Sequence, residues 1–398
     1  VSDESILELE RVVRGAPGDE GARLRLVAAL VRAGRTRDAL ERLDLALVSS
    51  EQLGSARELS KRLWLEELGS LQFLGAIPLE HANAFVLSLS VDSGRRWVAW
   101  SSWRSGLYVS SPSGEPILVD PNHEGRPVFV HGGILASHGD GLTFLEWSGT
   151  RFDRRTLPCG TRTFLLGASP LGDRILLRHW KRARVLAWPS LDVVLEVAVA
   201  AGPVLVDWIA ERLLVPSRVG VAAWSFSGGP AVQCPFKTGH GDPFIAAPGV
   251  IGKIWPGLWL HGHEHGWTKP VVRSRRTIPM PSFASDRRTL RLVIGGSTRR
   301  FLLDPRTGAL DPSPDTAWPM PVRDDAYVCW HPHADVYLAG SSRPQTVAVR
   351  AADGKTLREF NYALARSTWS RDGRTLAAVR TPARRGGPSR IEVWGVTM

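Results

Sequence analysis

The chain runs to 398 residues, 43% of them apolar and 22% charged, with 39 Gly, 28 Pro, 16 Trp and a net charge of +11, which supports a sizeable core and excludes a wholly disordered chain. No stretch approaches the ~18 consecutive apolar residues of a membrane-spanning helix, and the first thirty positions alternate charge with Leu and Val, so we expect a cytoplasmic protein with no membrane partner. Cys159, Cys234 and Cys329 are odd in number and far apart, without CxxC spacing, which excludes a disulfide framework or a zinc finger and leaves free thiols.

From Ser2 to about Gly75 the apolar residues fall at helical spacing: Ile6, Leu9, Val12 and Val13, then Leu26, Ala29, Leu30 and Ala33, then Leu40, Leu43, Ala46 and Leu47. Such spacing puts them on one face of amphipathic helices. Gly34 closes the second run and Thr36 opens the third, the pattern of an antiparallel helix hairpin. A further helix is expected from roughly Ser55 to Phe73, with Leu59, Leu63, Leu68 and Leu71 on its apolar face. Leu26, Leu30, Gly34, Ala39, Leu43, Ala46 and Leu47, with Pro17 upstream, resemble one tetratricopeptide repeat (TPR). Ala39 and Ala46 then let two helices approach closely, and the last helix caps the stack.

After Pro78 the texture changes to short alternating runs of Val, Leu, Ile and Trp separated by Gly, Pro, Asp and Arg turns, which read as strands. One phrase, a turn followed by an apolar strand, recurs at roughly 40-residue intervals: 96–100, 133–136, 174–177, 212–215, 250–254, 289–294, 336–340 and 375–379. A second strand follows each, most units add another, and with the strand before each phrase this gives four short strands per unit. That is the pattern of a β-propeller blade. The count is eight blades, or seven if the short unit near Asp286 to Asp311 merges with a neighbour. Residues 365–379 (ARSTWSRDGRTLAAV) followed by 390–396 (RIEVWGV) resemble a WD40 blade, with Asp372 and Gly373 at the hairpin turn and Trp394 between blades. The last unit lacks a fourth strand, which a strand from Phe73 to Leu79 could supply, closing the ring and locking the helices to it. The expected fold is thus mainly β, a TPR-like helical arm over 1–75 and a WD40-like propeller over 76–398.

Eleven basic and 13 acidic residues precede the end of Pro78, leaving 39 and 26 after it, so the β segment carries +13. Turns joining second to third strands share one propeller face with the connections between blades. On that face we expect Arg104, Lys181, Arg182, Arg184, Arg218, Arg299, Arg300, Arg343, Arg384 and Arg385, joined by Arg273, Arg275 and Arg276 from an inter-blade connection. A basic rim attracts acidic proteins or nucleic acid by long-range steering, and Trp103 and Trp180 are placed to stack on bases. The excess of 44 Arg over 6 Lys also follows from the codon composition of a GC-rich genome.

Catalytic signals are sparse. His261, His263 and His265 alternate at the end of a strand, where period two could turn three imidazoles to one side as zinc ligands; a solvated turn explains them too. The phosphate-binding glycine loop, the dinucleotide fingerprint and the Gly-x-Ser-x-Gly nucleophile turn are all missing. We therefore expect no cofactor and no catalytic residue. The two resemblances imply a non-enzymatic scaffold that docks proteins in a bacterial multi-protein assembly, with an AAA-type ATPase among the possible partners. Polyanion binding on the basic face and a metal-dependent hydrolase at His261–His265 or in the channel are the alternatives.

Overall fold

The computed structural model describes residues 3–16, 19–43, 53–79, 86–92, 97–102, 106–112, 114–121, 127–138, 141–148, 152–159, 163–169, 172–199, 203–208, 210–217, 220–234, 243–247, 249–254, 258–263, 265–272, 282–283, 289–294, 297–304, 306–312, 318–319, 327–334, 336–340, 346–350, 355–360, 362, 364–370, 372–380 and 389–396. Among these described residues four helices come first: α1 (Asp3–Gly15), α2 (Glu20–Arg32), α3 (Thr36–Arg42) and α4 (Leu53–Gly69). The Asp19 carboxylate accepts from the Ala22 N–H at 2.9 Å and so caps α2, with Glu20 in its first turn and Arg32 in its last. At the other end the Gly34 N–H donates to Val31 and the Arg35 N–H to Leu30. This doubly bonded reversal needs a left-handed residue at Gly34, where φ is +71°. Ile6, Leu26, Val27, Leu30, Ala39, Leu43 and Leu63 form the buried core of this arm. The final helix stops at Gly69, short of the expected Phe73, because Leu71–Pro78 is already a strand. Pro17, Ala46 and Leu47 lie outside the described residues.

The rest of the described chain is β. Eight antiparallel sheets follow one another, spanning 86–120, 128–157, 163–198, 205–234, 243–272, 282–319, 327–360 and 364–396. Seven consist of four strands; the sixth adds the short Trp318–Pro319 strand, paired to Ser297–Leu303. The eighth takes its fourth strand from the other end of the chain. Leu71–Pro78 pairs with Arg390–Val396, from Leu71 opposite Val396 to Pro78 opposite Arg390. The unit near Asp286 to Asp311 is a sheet of its own.

Successive residues of a second strand face opposite neighbours, which explains the near-continuous apolar runs. In the second sheet Ile134 packs with Ala99 and Leu107 of the first, while Leu135 packs with Ile175 and Leu177 of the third. Leu213 and Leu214 divide likewise between the third and fifth sheets. Val250 and Leu260 meet Leu290 of the sixth sheet, and Leu338 and Phe360 of the seventh meet Leu376 and Trp394 of the eighth. The circuit closes where Ile77, Ala377 and Val393 of the eighth sheet bury Val86, Val98 and Trp100 of the first. First strands of consecutive sheets touch, for example Val86–Val91 with Val128–Val130 and Leu364–Trp369 with Val86–Val91, so they line the middle. This is a propeller-like fold, mainly β with an N-terminal helical segment.

Polar latches join the sheets where the first strand turns into the second. The Asp207 carboxylate, at the end of the fourth sheet's first strand, accepts from Ala210 N–H at 3.0 Å and from Gly249 N–H of the fifth sheet at 2.8 Å. The His331 ring accepts at Nδ1 from the N–H groups of His333 and Ala334. Its Nε2–H therefore donates to the Gly373 carbonyl of the eighth sheet at 2.8 Å. The His131 N–H donates to the Gly172 carbonyl at 3.4 Å. Gly172, Gly249 and Gly373 have φ of +70°, +74° and +73°, the left-handed region that glycine enters without cost. Between the sixth and seventh sheets the buried Arg291 guanidinium donates to the carbonyls of His331 and Ala334 at 3.0 and 3.1 Å and lies over Trp330.

Candidate docking surfaces

The two faces of the ring follow from register. In the eighth sheet Thr375, where the second strand begins, lies opposite Gly395 near the end of the third, and the closing strand starts there at Leu71. One face thus carries the turns between first and second strands and the opposite face those between second and third.

The helical arm occupies the first of these. Trp64 of α4, 6% exposed, packs with Ala334 and Val336 beside Leu40 and Leu68, stacks on His333 with planes 7° apart and meets His331 edge-on. Arg374 reaches Glu41 at 2.9 Å and Glu67 at 3.3 Å. The Arg374 guanidinium and the Glu67 carboxylate are nearly buried, which makes this pair less screened than a surface ion pair. Arg358 donates to the Leu71 carbonyl and lies 4.3 Å from the Trp394 ring centre, fastening the seventh sheet to the closing strand.

Of the basic residues expected on the opposite face, Lys181, Arg182, Arg184, Arg299 and Arg300 are among those described. Arg104, Arg218, Arg273, Arg275, Arg276, Arg343, Arg384 and Arg385 lie outside the described residues. Arg299 and Arg300 fall within the Ser297–Leu303 strand rather than in a turn. Arg182 and Arg184 are likewise in a strand, Arg182–Ala187, because the hairpin before it is only two residues long: His179 pairs with Arg182, leaving Trp180 and Lys181 as the turn. Arg182 and Arg184 both bond to Glu196 of the adjacent strand, and the Arg184 hydrogen bond holds that carboxyl below its ordinary range. Lys181 is exposed. In the eighth sheet the buried Glu392 carboxylate takes Arg380 at 3.1 Å, Arg390 at 2.8 Å and the Tyr362 hydroxyl at 2.6 Å. Burial, with Glu392 beside it, pushes the Tyr362 hydroxyl up to about 12. These carboxylates were not anticipated, since Arg182, Arg184 and Arg380 lie on strands neighbouring their partners.

The three imidazoles do not gather. The strand ends at Gly262, so the alternation stops there. His261 is buried and its Nδ1 bonds to the Thr268 hydroxyl at 2.7 Å, and burial lowers its pKa. His263 is buried facing Asp207, with Nε2 3.9 Å from the carboxylate, while His265 is exposed in the turn. Among the described residues, no group of three or more His, Cys, Asp or Glu side chains is placed to hold a metal. Trp100 and Trp394 are buried between sheets, and Trp97 packs on Trp147 and Phe152 of the second sheet. Trp103 lies outside the described residues. Cys159 and Cys329 are half-buried thiols outside any disulfide, and burial pushes Cys159 up. Among the described residues no helix is long and apolar enough to cross a membrane.

No family model matches the chain, and no curated protein does. Among solved structures it is similar to the crystal structure of the computationally designed Ika8 protein, with 9% identity and a TM-score of 0.55 over 82% of this chain and all of that one. It is also similar to the beta-propeller domain of Myceliophteria thermophila Cps50 (Swd1), with 13% identity and a TM-score of 0.45 over 70% of this chain and 98% of that domain. The first is a likeness of chain course alone, without shared sequence.

Proposed function

We propose that the protein is a non-enzymatic scaffold that docks partner proteins within a multi-protein assembly, as an eight-bladed propeller with a TPR-like arm over residues 1–75 and a ring over 76–398, to which the strand from Leu71 contributes. One observation carries the reading: the arm seats on a single face, through Trp64 and Arg374, leaving the other face to the turns between second and third strands. A frame held by buried contacts and glycine latches tolerates varied turns, so it presents broad surface at little ordering cost. The AAA-type ATPase implied by the resemblance is one candidate partner.

The test is crosslinked capture from the source cells, followed by reconstitution from purified components. A stoichiometric complex that persists at moderate salt supports the scaffold. Failure of every captured protein to rebind the purified chain contradicts it. Binding of nucleic acid that weakens steeply with salt would favour the polyanion reading instead. Stoichiometric zinc lost on His263→Ala would favour the hydrolase.

A further inference from the structure

We propose that Arg380 and Arg390, opposed where the second strand of the eighth sheet ends and the third begins, bind the side-chain carboxylate of an acidic residue on a partner protein. This rests on the scaffold reading and names a site for it on the face away from the arm. Arg380 pairs directly with Arg390 across the ladder, a placement of like charges that destabilises a sheet. One carboxylate holds the two together. Glu392, two residues along the third strand and opposite Ala378 and Ala76 on its neighbours, takes both guanidiniums on Oε1 and the Tyr362 hydroxyl on Oε2.

The two arginines spend their donors differently. Arg390 gives both Nε and Nη2 to Glu392, at 3.0 and 2.8 Å. Arg380 gives Nη1 alone, at 3.1 Å, and among the described residues nothing takes its Nε–Nη2 edge. That edge is the planar fork that matches a carboxylate through two parallel hydrogen bonds. Its plane is held as well, because the Arg380 guanidinium lies 3.9 Å from the centre of the Tyr362 ring, while 34% of the side chain remains open to solvent. The Arg182 and Arg184 pair on Glu196 lacks this build: its carboxylate is 28% exposed against 1% for Glu392, and among the described residues neither guanidinium lies over a ring. Charge then selects the ligand. Two guanidiniums against one buried carboxylate leave a single positive charge, which one further carboxylate neutralises and a phosphomonoester dianion overshoots. A nucleic-acid strand also offers monoanions, but Arg380 already covers the Tyr362 ring that would stack on a base.

The experiment measures anisotropy of labelled, C-terminally amidated hexaglutamate on the 398-residue chain, with amidated hexaglutamine and oligothymidylate in parallel. The parent chain binds hexaglutamate and not hexaglutamine. Arg380→Lys keeps the positive charge beside Glu392 but loses the fork, so it weakens binding about tenfold with the thermal midpoint little changed, whereas Arg182→Lys leaves the affinity within about twofold. A second measurement needs no variant: on the parent chain, sodium acetate displaces the peptide more than sodium chloride does at equal ionic strength. No binding by the parent, equal affinity for parent and Arg380→Lys, or equal displacement by the two salts overturns the site; so does tighter oligothymidylate binding that depends on Arg380. None of these touches the scaffold reading, which is decided by the reconstituted complex.

Discussion

The His331 ring illustrates how single residues hold this molecule together. Two backbone N–H groups point at its Nδ1 and a carbonyl receives its Nε2–H, so only the neutral imidazole fits. Burial accordingly pushes its pKa well below the ordinary histidine range, aided by the nearby His333 and Arg291. The unfolded chain binds a proton near pH 6.5 that the folded one refuses, so stability is complete above that pH and declines as pH falls through it. His261, also lowered by burial, acts in the same direction. We expect urea midpoints to drop between about pH 7.5 and 5.5, at up to ~1.4 kcal/mol per pH unit for each such histidine. His331→Gln, able to accept from Ala334 and donate to Gly373, should flatten the slope; an unchanged slope would remove His331 from the account. The facing glycine is as constrained. A Cβ on Gly373 would lie 2.6 Å from the His331 ring, which its hydrogen bonds prevent from swinging away. Gly373→Ala is expected to cost about 2–3 kcal/mol in urea unfolding, against about 1 kcal/mol for Gly228→Ala, where φ is +86° but the space is open. None of these latches was legible in the sequence. Asp207 and His331 do one job with different chemistry, on partners some forty residues away. The three histidines do not follow strand alternation for a local reason: Gly262 ends the strand, and a Cβ there would meet Trp267 at 2.4 Å.

At the scale of elements, the apolar periodicity located the first three helices and the second strands closely, because a second strand is buried on both faces and advertises itself as an unbroken apolar run. Turns were less legible. The two-residue hairpin at Trp180–Lys181 carries no Gly or Asn to mark it, which is why Arg182 and Arg184 were expected in a turn. Docking of the arm was anticipated only through the closing strand, yet α4 also binds the ring directly through a mostly buried tryptophan. Removing it in Trp64→Ala should cost about 3 kcal/mol and loosen the arm selectively. Trypsin should then cut the helical segment faster while the sheets remain intact; an unchanged digestion rate would show that the Trp64 contacts do not hold the arm.

For the whole molecule the decisive feature is that residues near opposite ends of the chain complete one sheet. An edge at Arg390–Val396 would otherwise expose unpaired backbone groups and invite association. Leu71–Pro78 covers it, so the ring is sealed and the arm is tied to the seal. Closure was legible because the last unit ran out one strand short while an unassigned apolar run stood ahead of the first. What the chain binds was not legible, since a basic composition does not distinguish a functional face from a solvated one, and the Glu196 and Glu392 pairings alter its charge. The most direct measurement of the sealed ring is amide hydrogen exchange on the 398-residue chain. Residues 71–78 should exchange with the slowest class, alongside 390–396 and well behind the helices. Exchange of 71–78 at the pace of the helical arm, with 390–396 protected on their own, would contradict closure by this strand.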